Sequence, residues 1–476
     1  MSGDENQIRD APLWAMTAAQ LKAGFRDRLF TPDVALAAIH ARFDELNPTI
    51  NAVIALDWAR AQAAAAQSTA RWLGGSPLSP LDGVPLTIKD NLHVAGMPAT
   101  WGSAAYRDFV PGEDEPAVAR LRAAGAVLFG KTNAPEFTVQ GYTDNALFGA
   151  TRNPHALDRT PGGSTGGGAA AVAAGIGPIA IGTDGGGSLR RPAAHCGLFA
   201  LKPSIGQIAR SGGFPPILSD FETIGPLARS VEDLFTAFSI LRGYDARDAR
   251  SLAALAPAAD FPGRPRIGYF PRIGSAPVDS QIAGPSDDFA KALAADGARI
   301  DLIAAPFDLE TVNAAWGTIA SAGLAWHLGR TPHDPATLGA NALAMAASGA
   351  QRPLVEYLDA LAVALAARIS SAALFERFDM LLCPATAALA WPAEEAFPPT
   401  IDGKPVGPRG HAIFTGWMNV AGLCATTIPV AMTPDSGGIG MQLVAAPGRD
   451  LDLLYFLLNS PAIKALGPAG LSRGCH

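Results

Sequence analysis

Six short apolar runs, separated by Gly/Pro punctuation and by helical stretches, constrain this 476-residue chain more than any other feature. VPLTIK (84–89), AVLFGK (126–131), GPIAIGTD (177–184), PRIGYF (265–270), FDMLLCP (378–384) and ATTIPVAM (425–432) are each apolar on consecutive residues. Such runs suit strands buried on both faces rather than a sheet with one wet side. Helical patterns lie between them, as in EPAVARLRAAG at 115–125, and that alternation predicts an α/β sheet with crossover helices. The order of the strands does not follow from the runs. Two helices open the chain, with Thr17 and Thr31 as expected N-caps. Pro32 stands in the first turn of the second, and Leu36, Ile39, Phe43 and Leu46 recur on its apolar stripe. A third, alanine-rich helix is expected from Trp58 to Trp72, ended by GGSPLSPLDG.

The remaining bulk features exclude more than they select. With 36 basic and 43 acidic residues the net charge is -7, which gives no electrostatic footprint for nucleic acid. The acidic, polar first twenty residues lack the basic-then-apolar order of a secretory signal, so a cytoplasmic location is expected. No run of eighteen apolar residues occurs, and no membrane span is expected. Cys196, Cys383, Cys424 and Cys475 are scattered, without a CxxC pair, and read as free thiols. His411, His327 and His333 lack ligand spacing, so no metal site is expected, and no cofactor is expected either.

Of the 51 glycines, a dense group falls between 162 and 187, and here the chemistry concentrates. RTPGGSTGGGAAAVAAG places Gly162, Gly163, Ser164, Thr165 and Gly166 before an alanine-rich helix. It formally matches a G-x-S-x-G nucleophile elbow, yet ALDRTP is not the apolar strand such an elbow needs. A phosphate cradle fails as well, for want of the Walker Lys-Ser/Thr pair. Taken alone, the segment reads equally as a mobile glycine loop. GPIAIGTDGGGSLRRPAAHCG does have its strand, and runs into Asp184, Gly185, Gly186, Gly187 and Ser188. Three glycines before a serine let backbone N–H groups converge beside a hydroxyl, which suits an oxyanion hole made by Gly185, Gly186, Gly187 and Ser188. Without further support a plain strand-to-helix turn capped by Ser188 is the better reading. LDGVPLTIKDN ends an apolar strand in Lys89; a lysine drawn into the interior loses pKa and can act as a base, although a solvated strand-end lysine is the commoner case.

Together these segments resemble the amidase signature family of Ser-cisSer-Lys amide hydrolases. GVPLTIKDN, GKTNAPEF, FGATRNP, TPGGSTGGG, TDGGGSLRRPAAHCGLFALKPSIG and TIGPLARS occur in that family's order, densely from about 80 to 235. The resemblance implies a mixed β-sheet core flanked by α-helices on both faces, in one domain over 1–476. Within it, 1–75 would be a helical N-terminal segment, 76–235 the signature core, 236–375 a helical elaboration beside the pocket, and 376–476 the C-terminal part of the core. It implies Ser188 as nucleophile, Ser164 after a cis peptide as the bridge, and Lys89 as the base. The expected reaction is hydrolysis of a carboxylic amide to acid and amine or ammonia, a carbon–nitrogen bond other than a peptide bond. Asp184 and Arg190 would brace the glycine turn. Thr165, Gly168 and Ala200 depart from the family's usual residues without touching the three catalytic positions.

Two alternatives stay open beside the free-standing amidase: a protein like the glutamine-hydrolysing A-type subunit of an amidotransferase, and a catalytically silent scaffold of the same fold. The expected partner is a small-molecule amide, and a homodimer is compatible with it. A Ser-His-Asp arrangement using His155 or His195 ranks below the lysine relay. Trp101, Phe137, Tyr142, Trp316, Trp326, Phe414 and Trp417 are candidates for an apolar pocket or simply core; the substrate-binding residues are not fixed by the sequence.

Overall fold

In the computed structural model, residues 11–255, 262–306, 308–331 and 333–467 are described; Cys475 lies outside them. The strands in chain order are β1 (Val53–Leu56), β2 (Pro85–Lys89), β3 (Val127–Thr132), β4 (Ile179–Asp184), β5 (Phe199–Lys202), β6 (Thr223–Ala228), β7 (Arg266–Tyr269), β8 (Arg299–Leu302) and β9 (Met380–Pro384). The two-residue strands β10 (Thr400–Ile401) and β11 (Lys404–Pro405) form a small hairpin, and β12 (Cys424–Thr433) and β13 (Gly437–Ala445) complete the set. All six apolar runs of the sequence are strands. They belong to one eleven-stranded sheet of order β1-β3-β2-β4-β6-β5-β12-β13-β9-β7-β8.

The sheet is mixed. β3, β2 and β4 are parallel neighbours, as are β9, β7 and β8, while β6, β5, β12 and β13 between them pair antiparallel. Side chains alternate across it with the period of two that a strand imposes. Leu86, Ile88, Ile179, Ile181, Leu382 and Leu443 join one core with the helices Ala18–Arg26, Pro116–Ala123, Val231–Leu241, Ser280–Ala295 and Asp450–Asn459. Their neighbours point the other way. Ala180, Ala200 and Leu227 meet the helices Gly166–Ala174 and Arg190–His195, and Leu381, Cys383 and Val444 meet the helices Leu309–Arg330, Leu354–Arg377 and Gly416–Val420. The helix Gly166–Ala174 is buried on every residue, which only Gly, Ala and Val allow at so close an approach to the sheet.

Thr17 caps its helix through a reciprocal bond with Gln20, whereas Thr31 makes no side-chain cap and leaves the start of the next helix to Pro32. The third helix spans Trp58–Leu73, as its alanine content predicts. The stretch 236–375 differs from a purely helical elaboration, because it contributes β7 and β8 to the sheet besides its helices. One of those helices, Leu354–Arg377, is by length and composition alone apolar enough to cross a bilayer. It packs on the protein through Ala360, Ala364, Ala367 and Ser371 and leaves Leu354, Val355, Leu358, Leu365 and Ile369 exposed.

Three lysines end up wholly inside. Lys89 is the last residue of β2; Lys131, on β3, donates to the carbonyls of Leu92 at 2.7 Å and Pro98 at 3.0 Å; Lys202, on β5, donates to that of Pro203 at 2.8 Å. Cys196, Cys383 and Cys424 are buried free thiols.

Candidate active site

The parallel pairing of β2 with β4 sets Ile88 beside Ile181, so the next residues, Lys89 and then Thr183, come together where both strands end. Lys89 Nζ lies 3.0 Å from Thr183 Oγ1, 3.5 Å from the Thr183 carbonyl and 2.8 Å from Ser164 Oγ. An amine in its neutral form donates to the two threonine oxygens and turns its lone pair to the Ser164 hydroxyl. Burial pushes this amine down to about 7, against the opposing pull of the Glu222 and Asp184 charges. A base half-discharged at neutral pH is the result.

Ser164 begins the turn into the helix Gly166–Ala174, and the Gly163–Ser164 peptide is cis. A side chain at Gly163 would run into the backbone of Tyr142, so glycine alone fits there. The neighbouring Thr165 N–H donates to the Ser188 carbonyl at 3.1 Å, which locks the Ser164 loop onto the turn after β4. Thr165 Oγ1 donates to the Thr183 carbonyl at 3.0 Å, closing a ring of contacts around Lys89. Ser188 is 7% exposed, and its hydroxyl makes no hydrogen bond among the described residues, to Ser164 included.

Of the four N–H groups expected to form an oxyanion hole, Gly187 must be taken out. It donates to Asp184 Oδ1 at 2.6 Å, because its φ of 110° folds the turn back over the carboxylate. The N–H groups of Gly185, Gly186 and Ser188 have no internal acceptor among the described residues. A side chain on Gly187 would also strike Thr415 and Arg191.

Asp184 and Arg190 brace this turn. Burial would raise the Asp184 carboxyl, but the Arg190 guanidinium holds it well below the usual carboxylate range. Arg190 meets Asp184 through Nε and Nη2, both at 3.0 Å, and spends its other donors on the Thr415 carbonyl, Asn419 and Gln442. Asn419 in turn donates to the Asp184 carbonyl at 2.7 Å. Breaking such a pair strands a buried charge. Arg190→Met is therefore expected to cost about 3–5 kcal/mol of stability, read from urea unfolding followed by circular dichroism.

Sequence reasoning missed several neighbours. Glu222, just ahead of β6, accepts from Asn91 at 3.2 Å and from Arg210 at 2.5 Å, and its charge exerts the largest upward pull on the Lys89 amine. Trp316, from the helix Leu309–Arg330, donates to the Gly185 carbonyl at 2.6 Å. Among the aromatic candidates, Trp316 lines a cavity beside the turn; Trp101, Phe137, Phe414 and Trp417 are core; Trp326 is largely exposed. Only DFETIG held a hint of Glu222, an acid directly before a motif strand. Among the described residues neither His155 nor His195 has a carboxylate partner. His155 contacts the Cys196 carbonyl and His195 that of Ala388, and burial keeps His195 down at about 4.

A family model described as Amidase matches residues 35–454. Among curated relatives, the A subunit of the Glutamyl-tRNA(Gln) amidotransferase from Acidothermus cellulolyticus is 33% identical over 474 residues, covering 92% of each chain. Among solved structures, a bacterial aryl acylamidase of the amidase signature enzymes superposes with a TM-score of 0.86 at 27% identity, over 96% of this chain and 97% of its own. A 6-aminohexanoate cyclic dimer hydrolase complexed with substrate gives a TM-score of 0.85 at 27% identity, over 96% and 98%.

Proposed function

Because the chain belongs to the amidase signature family, we propose that it opens carboxylic amides through an acyl-enzyme on Ser188, with Lys89 as base and Ser164 carrying the proton between them. The observation that carries this reading is the 2.8 Å contact between a buried, easily discharged amine and a hydroxyl whose loop is tied to that of Ser188. Neutral Lys89 takes the Ser164 proton as Ser164 takes that of Ser188, whose oxygen then bonds to the amide carbon. The carbonyl oxygen becomes an oxyanion facing the N–H groups of Gly185, Gly186 and Ser188, where one donor is typically worth about 3 kcal/mol of barrier. The proton returns through Ser164 to the nitrogen, the C–N bond breaks, and the amine leaves. Water repeats the sequence on the ester and releases the acid.

Which amide is cleaved divides into two readings. A free-standing amidase draws on the names of the solved neighbours, an aryl acylamidase and a 6-aminohexanoate cyclic dimer hydrolase. A glutamine-hydrolysing amidotransferase component has the better support, because the Acidothermus relative that aligns over 92% of the chain is one part of such an enzyme. In that reading the ammonia passes to a partner protein, and the chain works in a complex. Purified chain that turns over simple amides unaided would count against the amidotransferase reading; glutamine turnover that appears only with added partner proteins would support it.

A fluorophosphonate probe tests the nucleophile directly. Peptide mapping is expected to find the label on Ser188, and no label in Ser188→Ala. Label on Ser164, or none on an active preparation, would sink the assignment and point to another nucleophile.

A further inference from the structure

Beyond the Lys89–Ser164 contact, a second set of buried polar groups converges on the same amine and has no part in the steps above. Lys89 Nζ shares Thr183 Oγ1 with Asn91, whose Nδ2 lies 3.1 Å from that oxygen and 3.2 Å from Glu222 Oε1. Glu222 is paired through its other oxygen with Arg210. Burial would raise the Glu222 carboxyl, but the Arg210 and Lys89 charges, with a hydrogen bond from the Thr183 hydroxyl, hold it below its usual range. Glu222 is therefore an anion at neutral pH, with acceptors only. Burial apart, four charged groups act on Lys89. Glu222 is first among them and, with Asp184 at the end of β4, favours the ammonium form; Arg210, between β5 and β6, and Arg191, on the helix Arg190–His195, oppose it. Lys131 on neighbouring β3 turns instead to the Leu92 and Pro98 carbonyls, the Asp90 carboxylate accepts from the Thr100 and Gly102 N–H groups, and the helix Gly166–Ala174 has no titratable side chain.

The Glu222 anion fixes the direction of the hydrogen bonds around it. Asn91 must present its amide hydrogens to the carboxylate, and its Oδ1 is left without a partner. The same NH2 group donates to Thr183 Oγ1 and takes one of its lone pairs. A Lys89 N–H takes the other, and the Thr183 hydrogen goes to Glu222. The reverse order would disable the base, because a Thr183 hydroxyl donating to Lys89 would fill the lone pair that the Ser164 proton needs. We propose that Glu222 is a positioning residue for the reaction: by capturing the Thr183 hydrogen it keeps the Lys89 lone pair on Ser164. The proposal rests on the reading of Lys89 as the base and Ser188 as the nucleophile.

The test follows the rate at which a fluorophosphonate labels Ser188 across the pH range, which needs no knowledge of the substrate. In Glu222→Gln the amide oxygen goes to Arg210, a donor only, so its NH2 faces Thr183 and the Thr183 hydrogen is left to Lys89. The labelling rate at the alkaline plateau is expected to fall about ten- to a hundredfold, the worth of a hydrogen bond to a charged group. Losing the Glu222 charge also lowers the Lys89 pKa, so the half-maximum should move from near 7 toward acid by about one unit. Loosening of the site would lower the plateau without moving its midpoint. Glu222→Asp keeps the charge and should hold the midpoint near 7 while recovering part of the plateau. A native plateau in Glu222→Gln overturns the proposal, and so does a lowered plateau with an unmoved midpoint. Thr183→Val leaves no charge unpaired and decides the matter where Glu222→Gln does not fold: its plateau should fall by a similar factor, and a native plateau there overturns the proposal. Lys89→Ala separates this from the reading beneath it. Near-normal labelling of Lys89→Ala overturns the base itself; severe loss there, with Glu222→Gln unaffected, overturns only the positioning role.

Discussion

Ser188→Ala is expected to lower kcat on any amide substrate by about 10⁴- to 10⁶-fold, the range seen when the nucleophile of a serine hydrolase is removed. The loss falls on the chemical step. Asp184, Arg190 and Asn419 hold the turn without help from the Ser188 hydroxyl, which has no internal hydrogen bond among the described residues. The melting temperature should therefore stay within a degree or two of the parent, by the small effect expected of a substitution that removes no packed contact. Single-turnover kinetics with mass detection of the acylated chain is the measurement. An acyl-enzyme that still forms in Ser188→Ala would show that a different oxygen attacks.

Lys89→Ala is expected to cost about 10²- to 10⁴-fold in kcat, the range of general acid–base contributions. The pH profile distinguishes loss of a base from loss of a strut. Only the uncharged amine accepts a proton, and burial brings its pKa to about 7. In the native enzyme kcat/KM should climb with pH, pass its half-maximum near 7 and level off above it, and that limb should be missing in Lys89→Ala. Near-normal rates of Lys89→Ala at neutral pH would end the proposed relay.

Much of the sheet, and the segments that bring Lys89 and Ser164 into contact, could be read from the sequence, for a common reason. Strands buried on both faces must be apolar throughout, so β2, β4 and β12 announce themselves, and the glycines around Ser164 and Ser188 are needed locally by the backbone they form. What escaped depends on distant pairing. β6 carries Gly225 and Pro226, and β13 carries Gly437, Gly438 and Gly440, so neither looks like a strand until neighbours in the sheet fix it. Gly187 was misplaced because its spacing allows it to face a ligand, while its φ turns its N–H to Asp184. Arg409 sits in a turn-rich stretch that says nothing by itself; only the fold brings it against Trp316, over whose ring it stacks.

Interior placement of Lys89, Lys131 and Lys202 also sets a thermodynamic bias on the whole molecule. Burial lowers the three ammonium groups from 10.5 to about 7, 8 and 8, so between those values and 10.5 the unfolded chain carries more protons than the native one. Folding there expels hydrogen ions, and by linkage these residues favour the native state more as the solution turns alkaline, with their penalty greatest below pH 7. The same desolvation that readies one of them for proton transfer thus makes mild acid the harder side for the fold to endure.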